Sequence, residues 1–261
     1  RSVHRARLLT KVAETRFAHR EIVEVEGRRM TEDQRRWILK AHQAVKSYNR
    51  SVVLASYFYA NNLIKLGIHH GADYWRASYP EAYEPVVSKY TKRYKNLPPE
   101  FIWSIMRAET IYRPTAISPV GARGLMQVMP KTGRKLSGLL GEPFKFENLT
   151  EPEPSIRLGS FYLHRLLKQF RGKYPLVAAA YNGGPHRVHA WMHHFGDLDM
   201  DEFIEHIPYK ETRNYTKKVT KYFAIYNLLY HKRTDAVAFL TEPLGFQLEG
   251  SIPTREIWET M

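Results

Sequence analysis

The chain has 261 residues, of which 43% are hydrophobic, and it carries a formal net charge of +14. This size suits one large domain or two modest ones, and the absence of cysteine excludes disulfides and thiolate-bound metals. The positive charge predicts attraction to a polyanion, for which nucleic acid, an anionic membrane surface and an acidic cell-wall polymer are the candidates.

The residue pattern argues against two kinds of protein. The basic residues are scattered, without zinc-finger spacing, an RRM signature or an arginine-rich arm, so nucleic acid is not expected as a partner. No stretch approaches the ~20 apolar residues of a membrane span, so none is expected in this chain. The opening RSVHRARLLT has neither an initiator Met nor the apolar run of a signal peptide. We therefore interpret the chain as a processed or trimmed part of a longer protein.

Helix-period patterning dominates the first part of the chain. Residues 31–68 predict a pair of helices with Thr31 as the N-cap, a break at Asn49–Ser51 and a stop at Gly67. Residues 78–94 predict a short helix. Two prolines open the next helix, over 96–110, which must stop before the Arg113-Pro114 pair.

Helical patterns continue downstream of a central loop. Residues 129–141 predict a short helix, 142–156 a proline-rich loop, and 156–170, 174–182, 185–195 and 209–232 further helices. An apolar and aromatic stripe along the last helix predicts core packing rather than a ligand platform; it comprises Tyr215, Val219, Tyr222, Phe223, Tyr226 and Leu229. From about Thr234 the pattern lapses, and the tail is expected to be extended or loosely docked. The predicted fold class is mainly α.

One acid lies on an otherwise apolar helix face. Ile102, Ile105, Met106 and Glu109 follow the spacing i, i+3, i+4 and i+7, which places them on one side of the helix. The carboxyl should therefore point to the interior or to a cleft, where burial raises its pKa and suits it to protonate a leaving oxygen. An exposed helix-end glutamate paired with an arginine is the alternative.

Two further places combine polar side chains with tight turns. Gln127 lies among apolar residues after a glycine-containing loop, so its amide needs partners, which either a sugar or nearby backbone can supply. Tyr181 and Asn182 stand at the rim of a Gly-Gly-Pro turn that is itself a common helix boundary.

A metal site is the weaker hypothesis for the histidine-rich segment. His186, His189, His193 and His194 are close in sequence, and His189 and His193 share a helix face. No HExxH pattern or obvious third ligand accompanies them, so neither a metal nor another cofactor is expected.

Three ordered motifs resemble one enzyme family. RAETIYRPTAISPVGARGLMQVMPKTG, AAYNGGP and IPYKETRNYTKKV are similar to the catalytic domain of soluble lytic transglycosylases, lysozyme-like enzymes that cleave peptidoglycan glycan strands. The resemblance covers roughly residues 72–230, and the earlier helices resemble the family's helical extension. It implies a goose-type-like lysozyme domain at 81–233, a helical linker or superhelix-type segment at 1–80, and a tail at 234–261.

The resemblance also implies roles for individual residues. Glu109 is expected to be the catalytic acid and base, and Glu211 the second, supporting acid. The residues expected to line the saccharide cleft, with Asn182 close by, are Ser118, Gln127, Met129 and Tyr181. The sequence departs from the family's usual pattern at Thr110, Tyr112 and Gly183, which concerns the fit of the cleft rather than the acid.

The implied reaction cleaves the MurNAc-β-1,4-GlcNAc bond without water and leaves a 1,6-anhydro end. It uses one carboxyl, unlike the paired carboxylates of ordinary glycosidases. A hydrolytic muramidase on the same scaffold and an inactive glycan-binding module are the alternatives. A peptidoglycan substrate implies a periplasmic or otherwise exported protein.

Overall fold

The computed structural model describes residues 15–26, 30–233, 235, 237–245, 254–256 and 258. Within them the fold is mainly α, as predicted, with isolated β-bridges and no longer strand. None of the helices that these residues form is long and apolar enough to cross a membrane. Their helices are α1 Thr15–Glu26, α2 Glu32–Ala44, α3 Tyr48–Phe58, α4 Ala60–His70, α5 Ala72–Ser78, α6 Glu84–Arg93, α7 Pro99–Thr110, α8 Pro130–Leu139, α9 Pro152–Gln169, α10 Tyr174–Gly183, α11 Pro185–Phe195, α12 Met200–His206 and α13 Lys210–His231, with short 3-10 helices at Phe146–Thr150 and Ala238–Leu240.

The described residues divide into two compact units. The first runs to Tyr83 and also includes Ile111–Arg113, whereas the second comprises Glu84–Thr110 and the residues from Pro114 onward. The domain limits 1–80, 81–233 and 234–261 stay predictions.

The first unit contains α1 to α5 around a small apolar core. Thr31 caps α2 as predicted, and it forms a reciprocal capping box with Gln34. The core residues are Ile22, Ile38, Leu39, Ala41, Leu54, Ala55 and Tyr59. The core thus consists of one side each of α1, α2 and α3 together with the residue that follows α3.

Of two helix limits predicted in this unit, one is wrong and one is confirmed. The break between α2 and α3 lies at 45–47, where Lys46 has a φ of 58°, and not at Asn49–Ser51. Ser51 lies inside α3, and its hydroxyl donates a hydrogen bond to Leu39 O of α2, 3.3 Å away. The predicted stop at Gly67 is confirmed by the backbone, since its φ of 59° and ψ of −171° are not helical. The residues up to His70 follow across this kink.

The second unit is organised around α7, which packs against α13, and α13 packs in turn against α10. Prolines in the first turn start α7 to α11, where the missing amide hydrogen costs no hydrogen bond. The Phe101, Tyr174 and Phe223 rings of these three helices lie 4.6–5.4 Å apart. Aromatic packing of this kind fixes α7 in the middle of the unit.

Two stretches of the second unit are more ordered than predicted. The expected loop at 142–156 contains a 3-10 helix and the first turn of α9, which begins at Pro152. In the tail, Leu244 is fully buried, and the Glu242 carboxylate accepts a hydrogen bond from Lys173 at 2.9 Å. These described tail residues therefore pack on the unit, while other parts of the tail lie outside the described residues.

The loop between α7 and α8 depends on one glycine. Gly124 has a φ of +74°, and a Cβ at this position would lie 1.7 Å from Leu149 O. The absence of a side chain therefore permits both the backbone conformation and the close approach of the 3-10 helix.

We expect Gly124→Ala to lower the free energy of unfolding by more than about 2 kcal/mol, because backbone must move to relieve the overlap. Gly138→Ala is the matched control. A Cβ there would meet nothing within 4 Å, and alanine favours a helix by up to about 1 kcal/mol. Urea denaturation of both variants measures the difference, and equal midpoints would contradict this account of the loop.

Candidate active site

Glu109 lies in the last turn of α7, at the end of a face that is otherwise buried. Ile102, Ile105 and Met106 have no solvent exposure, as the periodicity predicts, whereas Glu109 is partly exposed. The alternative, pairing with Arg107 or Arg113, is not favoured, since neither arginine is among the charges that influence the Glu109 carboxyl. The acid is therefore enclosed by the protein but keeps an opening to solvent.

The carboxyl of Glu109 is held by a tyrosine from another helix. Tyr215 of α13 donates its hydroxyl proton to Glu109 Oε1 at 2.6 Å, and its side chain is only 6% exposed. Burial, followed by the charge of Glu109, raises the pKa of Tyr215 well above its usual value. The hydroxyl is therefore protonated and acts as the donor.

Burial is the largest influence on the pKa of Glu109. It raises the pKa from an ordinary value of 4.5 to about 7, against the lowering effects of the Tyr215 hydrogen bond and of Lys218. The negative charge of Glu211 adds a smaller upward contribution. At neutral pH a substantial fraction of the carboxyl is thus protonated, as general acid catalysis requires.

Three residues of α13 act on Glu109 from one helix face. Glu211, Tyr215 and Lys218 follow the spacing i, i+4 and i+7. Glu211 is exposed in the first turn of the helix, and Lys218 Nζ lies 3.4 Å from Ala108 O. Glu211 therefore influences the acid through its charge. Its predicted role as a supporting acid stays a prediction.

Sequence reasoning placed Tyr215 in the core and missed its second function. Its ring is buried as predicted, but a buried tyrosine hydroxyl needs a hydrogen-bond partner. Tyr215 shares a helix face with Glu211 and Lys218. These polar neighbours are the sequence signal that a polar group faces Tyr215 across the helix interface. No signal in the sequence identifies this group as Glu109.

The loop before α8 holds the predicted Gln127 by its own backbone. Gln127 has a φ of 47°, and its Nε2 donates to Ala116 O at 3.2 Å and to Gly124 O at 3.0 Å. Ser118 Oγ accepts a hydrogen bond from Ala122 N at 2.9 Å. The partners of the Gln127 amide nitrogen are therefore backbone carbonyls, which is one of the two possibilities that the sequence leaves open. The expected sugar contacts of Gln127 and Ser118 stay predictions.

The other predicted cleft residues lie near α10 and α8. The Tyr181 hydroxyl donates to Met126 O at 2.7 Å, and its pKa is raised well above the usual value by burial and then by the charge of Glu109. Asn182 Oδ1 accepts from Thr212 Oγ1 at 2.8 Å. Met129, which caps α8, is 40% exposed.

The structure thus brings Tyr181 and Tyr215 into the electrostatic range of Glu109. Among the described residues, no hydrogen bond links Ser118, Asn182 or Met129 to the acid. We call Glu109, Tyr181 and Tyr215 the Glu109 site.

In the histidine-rich segment, His189 is hydrogen-bonded to a side chain of another helix. His189 Nε2 lies 2.7 Å from Gln169 Nε2 in a hydrogen bond, and burial lowers the pKa of His189. In the part of the chain that the structure describes, no group of three or more potential ligands is arranged to hold a metal ion.

Comparison with known proteins gives one consistent result. Residues 86–204 match the family model of the transglycosylase SLT domain. The soluble lytic murein transglycosylase of Escherichia coli K12 is 34% identical over 189 residues, which cover 69% of this chain and 29% of that protein. The chain therefore spans less than a third of the length of this curated relative.

Solved structures agree with the sequence comparison. The 70 kDa soluble lytic transglycosylase of Escherichia coli matches with a TM-score of 0.69 and 27% identity over 92% of this chain and 37% of that one. An inactive Glu-to-Gln mutant of the lytic transglycosylase Slt from Pseudomonas aeruginosa matches with a TM-score of 0.60 and 29% identity over 93% and 36%. The chain belongs to the soluble lytic murein transglycosylase family.

We expect Tyr215→Phe to raise the pKa of Glu109 above about 7. In the wild type the Tyr215 hydroxyl stabilises the ionised carboxylate through a hydrogen bond, which the variant cannot form. A carbon-13 NMR titration of the glutamate carboxyls measures this shift. Tyr209→Phe is the matched control, since Tyr209 is an exposed tyrosine that precedes the same helix. An unchanged or lower pKa in Tyr215→Phe would refute the assigned hydrogen bond.

We also expect Glu109→Gln to stabilise the protein at alkaline pH. The folded-state pKa of Glu109 is raised from 4.5 to about 7, so the wild type loses stability relative to the variant as pH rises through this interval, by on the order of 3 kcal/mol. Glutamine can still accept the Tyr215 hydrogen bond. Urea denaturation of both proteins from pH 4 to pH 8 tests this, with Glu147→Gln, at an exposed residue, as the control. A constant difference across pH would contradict the raised pKa.

Proposed function

We propose that this member of the soluble lytic murein transglycosylase family cleaves the MurNAc-β-1,4-GlcNAc bond of peptidoglycan without water and leaves 1,6-anhydro-MurNAc ends. The observation that carries the proposal is a carboxyl whose burial raises its pKa to about 7, within the residues that match the SLT domain. Because the known relative is more than three times as long as the matched part, the activity of the whole protein is part of the proposal.

The first step is a proton transfer from Glu109 to the glycosidic oxygen. Glu109 Oε1 already accepts the Tyr215 hydroxyl proton, so we assign the acidic proton to Oε2. Tyr215 thereby fixes which oxygen faces the substrate and holds it in one orientation. Cleavage of the bond between C1 and this oxygen leaves an oxocarbenium-like MurNAc and a carboxylate.

The second step returns the proton to the same group. The Glu109 carboxylate accepts the proton of the MurNAc C6 hydroxyl, and that oxygen attacks C1 to close the anhydro ring. Lys218 and the Tyr215 hydroxyl, which lower the pKa of Glu109, stabilise the carboxylate between the two steps. Burial favours the neutral acid, which the first step needs. Lys218 and Tyr215 favour the carboxylate, which the second step needs.

The remaining predicted residues have supporting roles in this proposal. Tyr181 and the exposed Met129 would form walls of the cleft, and Ser118, Gln127 and Asn182 would present polar atoms to the saccharide. Hydrogen bonds within the protein already orient the polar side chains, which suits preorganised binding.

The same reasoning extends to location and to the alternatives. A peptidoglycan substrate places the protein in the periplasm or elsewhere in the bacterial envelope.

A hydrolytic muramidase would need a second carboxylate to activate water. Glu211 is exposed on α13 and is not hydrogen-bonded to Glu109 in the described structure, so the hydrolytic alternative is not favoured.

We expect Glu109→Gln to reduce the release of anhydro-muropeptides from purified peptidoglycan by at least ~10²–10⁴-fold, because glutamine can neither give nor take the proton. The wild-type rate should fall as pH rises through about 7, the pKa of Glu109, and the residual rate of the variant should lack this dependence. Mass spectrometry identifies the products, since an anhydro end is one water lighter than a hydrolysed end.

Glu147→Gln provides the control for this measurement, because Glu147 is exposed and lies on the 3-10 helix before α9. Turnover of Glu109→Gln within a few-fold of the wild type would exclude Glu109 as the acid. Products with hydrolysed ends would instead support the muramidase.

A further inference from the structure

A second cavity lies at the opposite end of α7 from Glu109. It has a volume of about 510 Å³ and is enclosed by the start of α7, the turn before α10, the end of α13 and part of the tail. We call it the Glu100 pocket, and the residues that define it are Glu100, Lys173, Tyr174, Phe223, His231 and Phe239. Glu100 precedes Glu109 by nine residues, which is ~13 Å along a helix. The pocket is therefore separate from the Glu109 site.

A buried carboxylate forms part of the pocket wall. The Glu100 side chain is only 5% exposed, and its Oε1 lies 2.6 Å from His231 Nε2. Among the described residues, nothing hydrogen-bonds to Glu100 Oε2. Glu100 Oε2 is not one of the fully buried atoms that lack a partner, and Glu100 lines the cavity, so this oxygen is accessible to a donor from a ligand.

The other charges at the pocket largely neutralise each other. Lys173 pairs with Glu242 at 2.9 Å, and the Arg233 guanidinium binds both carboxylate oxygens of Asp235 at 2.9 and 3.1 Å. Glu100 is thus the carboxylate that lacks a dedicated lysine or arginine. Its Oε1 is paired with His231, and a cationic hydrogen-bond donor from a ligand would complete the coordination of its Oε2.

Aromatic rings form the apolar part of the wall. The Tyr174 and Phe223 centroids lie 4.6 Å apart, and Phe223 and Phe239 lie 6.1 Å apart. The faces of such rings are electronegative and attract cations. A carboxylate beside aromatic faces is an arrangement suited to a primary ammonium group with an aliphatic stem.

We propose that the Glu100 pocket binds the side-chain ammonium group of a diamino acid in a peptide, with Glu100 as the anion and Tyr174, Phe223 and Phe239 around the stem. The proposal rests on the proposed function, since the stem peptides of peptidoglycan supply such amines next to carboxylates. The pocket would hold a stem peptide while another part of the strand occupies the Glu109 site.

Two features favour a peptide over a simple polyamine. A volume of about 510 Å³ lies in the range of sites that hold whole small molecules and exceeds what one ammonium group needs. Lys173 and Arg233 also line the pocket. Each has N–H donors beyond those that bind Glu242 and Asp235, so a carboxylate near the ligand's amine can accept a hydrogen bond from them.

Isothermal titration calorimetry with the tripeptide L-alanyl-D-glutamyl-L-lysine tests the site. The titrations use the full chain carrying Glu109→Gln, so that turnover plays no part. We expect saturable binding that weakens about tenfold or more in Glu100→Gln, because a charge-assisted hydrogen bond to a buried group is lost. Glu84→Gln is the matched control, since Glu84 is also a first-turn glutamate, of α6, but is exposed.

A second variant and two other ligands make the test decisive. Phe239→Ala removes one wall outside the main core and should weaken binding several-fold while the thermal melt is unchanged. The same tripeptide with norleucine in place of lysine should not bind measurably. Equal binding of the norleucine peptide, or unchanged affinity in Glu100→Gln, would overturn the proposal, and 1,5-diaminopentane binding as tightly as the tripeptide would overturn its peptide part.

The outcome is independent of catalysis. If peptidoglycan digestion by the wild type gives no anhydro products, the proposed function fails whatever the calorimetry shows. If anhydro products form but the tripeptide does not bind, only the Glu100 pocket assignment fails.

Discussion

The burial of one carboxyl at the end of α7 is the constraint on which the candidate site depends. Enclosure makes the charged form of Glu109 unfavourable and raises its pKa to about 7, while a single strong hydrogen bond from Tyr215 keeps it from rising further. A carboxyl balanced between two protonation states can both give and receive a proton. The same enclosure is a cost to the folded state at alkaline pH, so the proposed activity and stability are opposed at this residue.

The arrangement of α7, α10 and α13 makes this burial possible. Their aromatic cluster packs on α7 at Phe101, near its start, and the buried stripe of α13 places Tyr215 at the height of Glu109. The two ends of α7 then differ in character. Its C-terminal end carries the raised-pKa acid, and its N-terminal end carries Glu100 in a separate pocket. One rigid helix therefore sets the spacing between the proposed site of bond cleavage and the proposed site for a peptide.

In the loop between α7 and α8, a polar side chain stabilises the loop conformation independently of any ligand. Gln127 uses its amide nitrogen on two backbone carbonyls, and Thr110 at the end of α7 places its hydroxyl 3.3 Å from Leu125 O. The two carbonyls bound by Gln127 also accept backbone N–H groups, so the side chain adds a second hydrogen bond to each and stabilises the loop. The loop is thus built into the site, and any saccharide contact from Gln127 would come in addition to this structural role.

The sequence by itself determined the helical class, the position of most helices, the inward face of α7 and the resemblance to the transglycosylase family. These follow from local signals, because the 3.6-residue period, capping residues and prolines act within a few residues of one another. It placed neither the break at Lys46, which has a positive φ, nor the hydrogen bond of the Ser51 hydroxyl to another helix. Only the tertiary structure decided that Tyr215 holds Glu109, since these residues are 106 positions apart, and that Gln127 binds backbone. Periodicity shows which side of a helix turns inward, but the packing of two helices decides which atoms meet there.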